Sequence, residues 1–194
     1  EGVVLSFEPI QKNLDRLRAN IEINDFKHVT VLPVALGDSV GEFSVYEASS
    51  SYADGTINEG LHTLHSSSAR HDMAGTVEVK VLDEVLGKIA LTRLDLMKID
   101  IEGSELSALK GSVHTLEKFT PTILLEICQE TCRAAGYTAE DLIIFLEEKG
   151  YQIYDISKFP TLDVFRVESL SDFQNVLAIH RNRINEIKQL INSN

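Results

Sequence analysis

The sequence has little cysteine, little basic charge and no long apolar run, and each shortage removes a class of protein. Two cysteines in 194 residues cannot build a disulfide framework, which fits a reducing, cytoplasmic setting. Thirty acidic side chains stand against eighteen basic ones, a formal charge of −12 with neutral histidines. A field of that sign repels phosphate backbones, so nucleic acid is not an expected partner. No apolar run approaches the ~18 residues a membrane helix needs, and the apolar stretch around Ile123–Ile127 is strand-sized. No membrane partner is expected either. A G-x-x-x-x-G-K-[ST] phosphate loop, a G-x-S-x-G elbow and an H-E-x-x-H helix are all missing, which leaves hydrolytic and NTP-hydrolysing readings unsupported.

What is there is an ordinary globular mixture, 43% hydrophobic and 25% charged, of a length suited to one domain spanning residues 1–194. The chain opens Glu1-Gly2-Val3-Val4, and Val3–Phe7 already reads as a buried strand. The domain is therefore expected to be incomplete at its N-terminus. Short apolar runs alternate with amphipathic segments, the signature of an α/β fold with a mostly parallel sheet. Pro9 suits the first turn of a helix whose apolar face is Ile10, Leu14, Leu17 and Ile21. Strands are expected at Val29–Leu36, with Gly41–Tyr46 as its hairpin partner, and at Thr76–Leu82, Leu94–Ile101 and Pro121–Ile127. Between them Ala48–Gly75 reads as one long loop, functional or mobile. Ser104 is placed to cap a single helix striped by Leu106, Leu109, Val113 and Leu116. Thr138 and Asp141 resemble a capping box with Asp in place of Glu, and Gly150 ends that helix. Tyr151–Ile156 and Asn175–His180 read as closing strands. An isoleucine-striped helix at Asn182–Leu190 could pack on the sheet or on a second copy, as a homodimer.

In open α/β sheets ligands bind beyond the carboxyl ends of the strands, which directs attention to the acids there. Glu8 ends the first strand, where a carboxylate can accept both hydroxyls of a ribose; a solvated Glu beside the next helix is the competing reading. Asp100 and Glu102 flank the Gly103 bend after Leu94–Ile101, Glu105 lies one helical turn on, and Glu126 ends the neighbouring strand. Four acids on one rim repel one another, and folding does not require them, so function is preferred at Asp100 and Glu102 and left even at Glu126. The same carboxylates could hold Mg²⁺, although their spacing is no dedicated metal motif, and no metal is expected. A zinc site at His62, His65 and His71 is a weak idea, Cys128 and Cys132 read as packing residues, and Lys98 either neutralises the acids or reaches solvent.

Taken together, Phe7-Glu8-Pro9, Asn20 and Asn24, Ala35-Leu36-Gly37-Asp38, Val81-Leu82-Asp83, Lys98-Ile99-Asp100-Ile101-Glu102-Gly103-Ser104-Glu105, Leu109-Lys110-Gly111 and Leu125-Glu126 resemble the FkbM family of S-adenosylmethionine-dependent methyltransferases. The resemblance runs from Val3 to about His180. It implies a Rossmann-like class I methyltransferase sheet, mostly parallel with an antiparallel closing strand. Glu8 would hold the ribose of the cofactor S-adenosylmethionine, Asp38 would lie near the adenine, and Asp100 and Glu102 would face the sulfonium and the acceptor. Lacking the Asn/Asp-Pro-Pro-aromatic motif of amino-group methyltransferases, the chain is expected to methylate a hydroxyl of a sugar, glycan or secondary metabolite. Glu102 is the first choice of base, ahead of His62 or His65. The family's first strand and glycine-rich turn, roughly V-D-V-G-A-N-x-G, do not occur in the sequence. In this fold that strand lies between those at Val3–Phe7 and Leu94–Ile101, so both are expected to lack a ladder partner and this chain alone to bind cofactor weakly. A catalytically silent module of the same fold, serving interaction, is the alternative, and a nicotinamide-dependent oxidoreductase ranks last.

Overall fold

The computed structural model describes residues 2–47, 62–67, 72–157, 159–165 and 170–192. It is an α/β structure whose strands fall into three sheets. Strand β1 (Val4–Phe7) leads into helix α1 (Gln11–Ile23), which begins two residues after Pro9. Leu14 is buried and Ile10, Leu17 and Ile21 are half-buried, so the expected apolar face is the one that docks. Asn24 caps this helix, its amide donating to the Asn20 carbonyl at 2.8 Å. Strand β2 (Val29–Leu32) then pairs in parallel with β1.

The single strand expected over Val29–Leu36 is split. Proline has no N–H to give a ladder, and after Pro33 the chain resumes as β3 (Ala35–Leu36) in a different sheet. There β5 (Asp72–Lys80) is central, parallel to β3 and antiparallel to β4 (Gly41–Glu47). The hairpin-like partner of Gly41–Tyr46 is therefore β5, and the strand at 72–80 begins inside the expected loop. Most of the rest of that loop lies outside the described residues. Val81 precedes a short helix, α2 (Leu82–Gly87), which buries Leu82, Val85 and Leu86.

The main core belongs to the five-stranded sheet, of order β6-β7-β10-β8-β9. Strands β6 (Leu96–Ile99) and β7 (Thr122–Cys128) run parallel. Strand β10 (Phe173–His180) lies antiparallel between β7 and β8 (Tyr151–Asp155), and β9 (Asp163–Val164) closes the far edge. Ile123, Leu125, Ile127, Val176, Ala178 and Ile153 are buried against Leu142 and Leu146 of α6 (Ala139–Glu148). The Thr138–Asp141 capping box forms as expected. The antiparallel closing strand is present, but among the described residues the strands form three separate sheets rather than one mostly parallel one. Among the described residues, strand β1 pairs only with β2, and β6 only with β7, so the two strands expected to lack a partner each sit at an edge.

The helix expected after Ser104 is two helices, α3 (Glu105–Lys110) and α4 (Val113–Phe119). The break comes at Gly111, where a β-carbon would lie 2.1 Å from the Gly37 carbonyl oxygen. The same Gly111 carbonyl accepts the N–H of Asp83 at 3.1 Å. The Asp83 carboxylate in turn accepts the N–H groups of His114 and Thr115, both at 2.8 Å, and the Thr115 hydroxyl at 2.6 Å. An acid from α2 thus caps α4, favourable at a helix N-terminus. Three of the sequence segments that carry the family resemblance, at 35–38, 81–83 and 109–111, meet at this one junction. Helix α5 (Gln129–Ala134) follows β7, and α7 (Ile184–Asn192) follows a 3-10 turn. Lys188 of α7 lies over the Tyr154 ring. No helix among the described residues is long and apolar enough to cross a membrane.

Gly111→Ala is expected to destabilise the fold by about 1–3 kcal/mol, because the neighbour it would strike is backbone and cannot move aside. Gly87→Ala, with open space around it, is expected to be neutral or slightly stabilising. Urea unfolding of the two variants checks the contrast.

Candidate active site

The register of β6 against β7 pairs Ile99 with Leu125. Asp100 thus leaves β6 beside Glu126, which stays in β7 opposite Asn175; the strand expected to end at Glu126 runs on to Cys128, because β10 pairs with it that far. Two residues after Asp100 the chain turns sharply through Glu102 (φ 54°) and Gly103 (φ 102°), both left-handed. Gly103 is required there, since a β-carbon would lie 2.7 Å from the Thr131 carbonyl. The turn folds Glu102 back, and carboxylate oxygens of Asp100, Glu102 and Glu126 all lie within 4.8 Å of one another.

Like charges at that distance oppose the ionisation of Glu126. Glu126 is pushed up to about 7, first by burial and then by the charges of Asp100, Glu102 and Glu105, with Lys98 pulling it back. Lys98 pairs with Asp100 at 2.7 Å, so it neutralises one acid of the group rather than only reaching solvent. Oxygen donors of this kind suit a hard cation, but the Lys98 ammonium competes for Asp100. The trio is an acidic cluster only partly offset by Lys98.

Glu105 is not part of the trio. Its carboxylate is buried and turned back on the turn, accepting the N–H groups of Ile101 and Gly103. Ser104 sits at the start of α3 without a capping hydrogen bond; its hydroxyl is hydrogen-bonded to His65 Nε2 at 3.3 Å. Burial lowers the His65 pKa, partly offset by Glu105, so the imidazole is neutral near pH 7.

Glu8 ends β1, where the N–H of Ile10 donates to its Oε1 at 2.7 Å. Burial raises its pKa, opposed by that N–H and by nearby His62. The next residue, Thr63, donates its hydroxyl to the Glu102 carbonyl at 2.6 Å. The His62-Thr63 dipeptide thus reaches towards Glu8 on one side and touches Glu102 on the other. Beside it lies a shallow cleft lined by Thr63, His65, Ser67, Glu102, Glu130, Thr131 and Ala134. Asp38 is exposed; its N–H donates to the Ser107 hydroxyl at 3.1 Å and its carboxylate accepts from Ser39. Those contacts tie it to α3 rather than to Glu8 or the acidic trio. His62 and His65 form no metal-sized cluster among the described residues, and His71 lies outside them. Cys132 is buried in the core, and burial pushes its thiol up to about 11, consistent with packing. Thr63 and Tyr137, whose hydroxyl donates to Glu105 at 2.9 Å, were not visible as site residues in the sequence. Neither carries a spacing signal, because each reaches the site across more than thirty residues.

Comparison with known proteins bears on this geometry. The family model described as "Methyltransferase FkbM domain" matches residues 1–153. The chain is 26% identical over 168 residues to Methyltransferase 1 of Beauveria bassiana, covering 79% of this chain and 64% of that protein. It is 26% identical over 175 residues to Methyltransferase sdnD of Sordaria araneosa, covering 79% of this chain and 66% of that one. The chain therefore spans just under two thirds of the length of these curated relatives. In structure it is similar to the FkbM methyltransferase of Methylobacillus flagellatus KT, with a TM-score of 0.54 and 19% identity, covering 92% of this chain and 36% of that one; this likeness is one of fold.

The raised pKa of Glu126 makes a stability prediction. Its folded value of about 7 lies above its ordinary 4.5, so between those values the folded protein holds a proton that the unfolded chain has lost. This group's contribution therefore makes stability fall as pH rises through that window and level off above it. Glu126→Gln is expected to flatten that part of the profile, read by urea unfolding on either side of the window. An unchanged profile contradicts the titration assigned to Glu126.

Proposed function

The chain belongs to the FkbM family of methyltransferases, and from that premise we propose that it takes part in S-adenosylmethionine-dependent methylation of a hydroxyl group on a sugar, glycan or secondary metabolite. The observation that carries this reading is the double placement of Glu102. It belongs to the acidic trio with Asp100 and Glu126 and also lines the cleft beside Thr63, Ser67 and Thr131. S-adenosylmethionine, when bound, supplies a methyl group carried on a sulfonium cation.

The residues present fit such a group. Glu8 has one carboxylate oxygen held by the Ile10 N–H, which orients the other to accept ribose hydroxyls. The trio, only partly neutralised by Lys98, attracts positive charge to the rim. At the cleft, the carboxylates of Glu102 and Glu130 would accept hydrogen bonds from a hydroxyl-bearing acceptor. An alcohol must lose its proton as it accepts a methyl group, and a positioned base contributes typically 10²–10⁴-fold. Glu102 takes that proton, and Glu126, near neutrality in its titration, shares it within the trio. Orientation supplies much of the remainder, because displacement at a methyl carbon requires little beyond alignment.

The test uses the full-length protein with labelled S-adenosylmethionine and a panel of hydroxylated acceptors, read by mass spectrometry. Glu102→Gln is expected to lower kcat by about 10²-fold or more and, by removing one charge of the trio, to weaken cofactor binding as well. Glu8→Gln is expected to weaken cofactor binding by about tenfold, the loss of one charge-assisted hydrogen-bonding group. Cofactor binding without transfer to any acceptor supports the silent module instead, and amine methylation overturns the hydroxyl assignment.

A further inference from the structure

We propose that Glu105 and Tyr137 form a positioning pair that holds the Asp100–Gly103 turn and thereby fixes where Glu102 presents its carboxylate. The inference deepens the reading of Glu102 given above and rests on it.

A left-handed backbone at Glu102, a residue with a β-carbon, is disfavoured and persists only where its surroundings impose it. The imposing group is the Glu105 carboxylate. Its Oε1 accepts the Ile101 N–H and the Gly103 N–H, both at 3.1 Å, and its Oε2 accepts the Gly103 N–H at 3.0 Å. The side chain opens helix α3, yet it folds back onto the residues before the helix instead of pointing to solvent. It is 4% exposed, so it is a buried carboxylate whose nearest partners are N–H and O–H donors.

Tyr137 completes the arrangement from a distant part of the chain. It lies in the connection between α5 and α6, and its hydroxyl donates to Glu105 Oε2 at 2.9 Å. Burial raises the Tyr137 pKa far above the range of ordinary titration, which keeps the hydroxyl protonated and able to donate. The Cys132 thiol of α5 lies near enough to the same hydroxyl for each to raise or lower the other's titration. The turn is therefore tied to the helical layer behind it, while Thr63 grips the Glu102 carbonyl from the cleft side at 2.6 Å. Ser104, which could have capped α3, is engaged with His65 instead. Neither Glu105 nor Tyr137 is among the residues that line the cleft. Both act on the chemistry through Glu102, for which small displacements matter.

The experiment compares the full-length wild type with Tyr137→Phe, which removes only the hydroxyl, and with Glu105→Gln. Three readouts are taken: amide exchange at Ile101 and Gly103, the ¹³C carboxyl signal of Glu102, and the dissociation constant for S-adenosylmethionine. With the pair acting as proposed, Tyr137→Phe speeds exchange at the two amides by about tenfold while β8 and β10 stay protected. The Glu102 signal moves or broadens, and cofactor affinity falls by about fivefold to tenfold, with a larger change in Glu105→Gln. Unchanged exchange at Gly103, or faster exchange with the Glu102 signal in place, overturns the proposal. A wild type that binds no S-adenosylmethionine defeats the functional reading alone, since the exchange and carboxyl signals still decide the pair's role. If Glu105→Gln fails to fold, Tyr137→Phe decides by itself.

Discussion

Negative charges do not gather at one rim of a protein unless something holds them there. The parallel register of β6 and β7 sets Asp100, at the end of β6, beside Glu126 of β7, and the left-handed turn at Glu102 and Gly103 adds a third acid. Their mutual repulsion is relieved in part by Lys98 and in part by the retention of a proton on Glu126. On the proposed reading, the remaining deficit of positive charge is what draws a cationic donor to the rim. A cationic donor arriving there would do what the proton does in its absence, and could leave a carboxylate free to act as base.

The family resemblance divides into two groups of residues once the contacts are known. Gly37, Asp83 and Gly111 form a junction in which backbone approaches backbone and an acid caps a helix. Asn20 and Asn24 end a helix. These positions build the scaffold and touch nothing at the rim. Glu8, Asp100, Glu102 and Glu126 lie at the carboxyl ends of strands, where an α/β fold places its chemistry. Glu105 belongs to neither group in a simple way: a charged residue with a structural grip, set directly behind a residue of the site. Conserving such a grip would serve position more than stability, because a buried carboxylate is a poor source of folding free energy.

Much of this was legible in the sequence, and the losses have physical causes. Alternating apolar runs identified the strands of the main sheet, and the Thr138–Asp141 box formed as read, because both signals are local. The helix after Ser104 was read as continuous because Leu106, Leu109, Val113 and Leu116 keep a helical period; the break at Gly111 is set by Gly37, seventy-four positions away. Pro33 split a strand whose apolar pattern ran straight through it. The separation into three sheets depends on which strands find partners, a non-local matter that periodicity does not report. At the site, the strand-end acids were visible by position, while Glu105 was grouped with them by spacing although its carboxylate faces inward. Tyr137 and Thr63 had no local signal at all.

The central claim is that the acidic trio is a seat shared between a proton and a cationic methyl donor. Calorimetric titration of the full-length protein with S-adenosylmethionine near pH 7, repeated in buffers of different ionisation enthalpy, counts the protons exchanged on binding. The account predicts net proton release that disappears in Glu126→Gln. Binding with no proton exchanged, or with protons taken up, contradicts it.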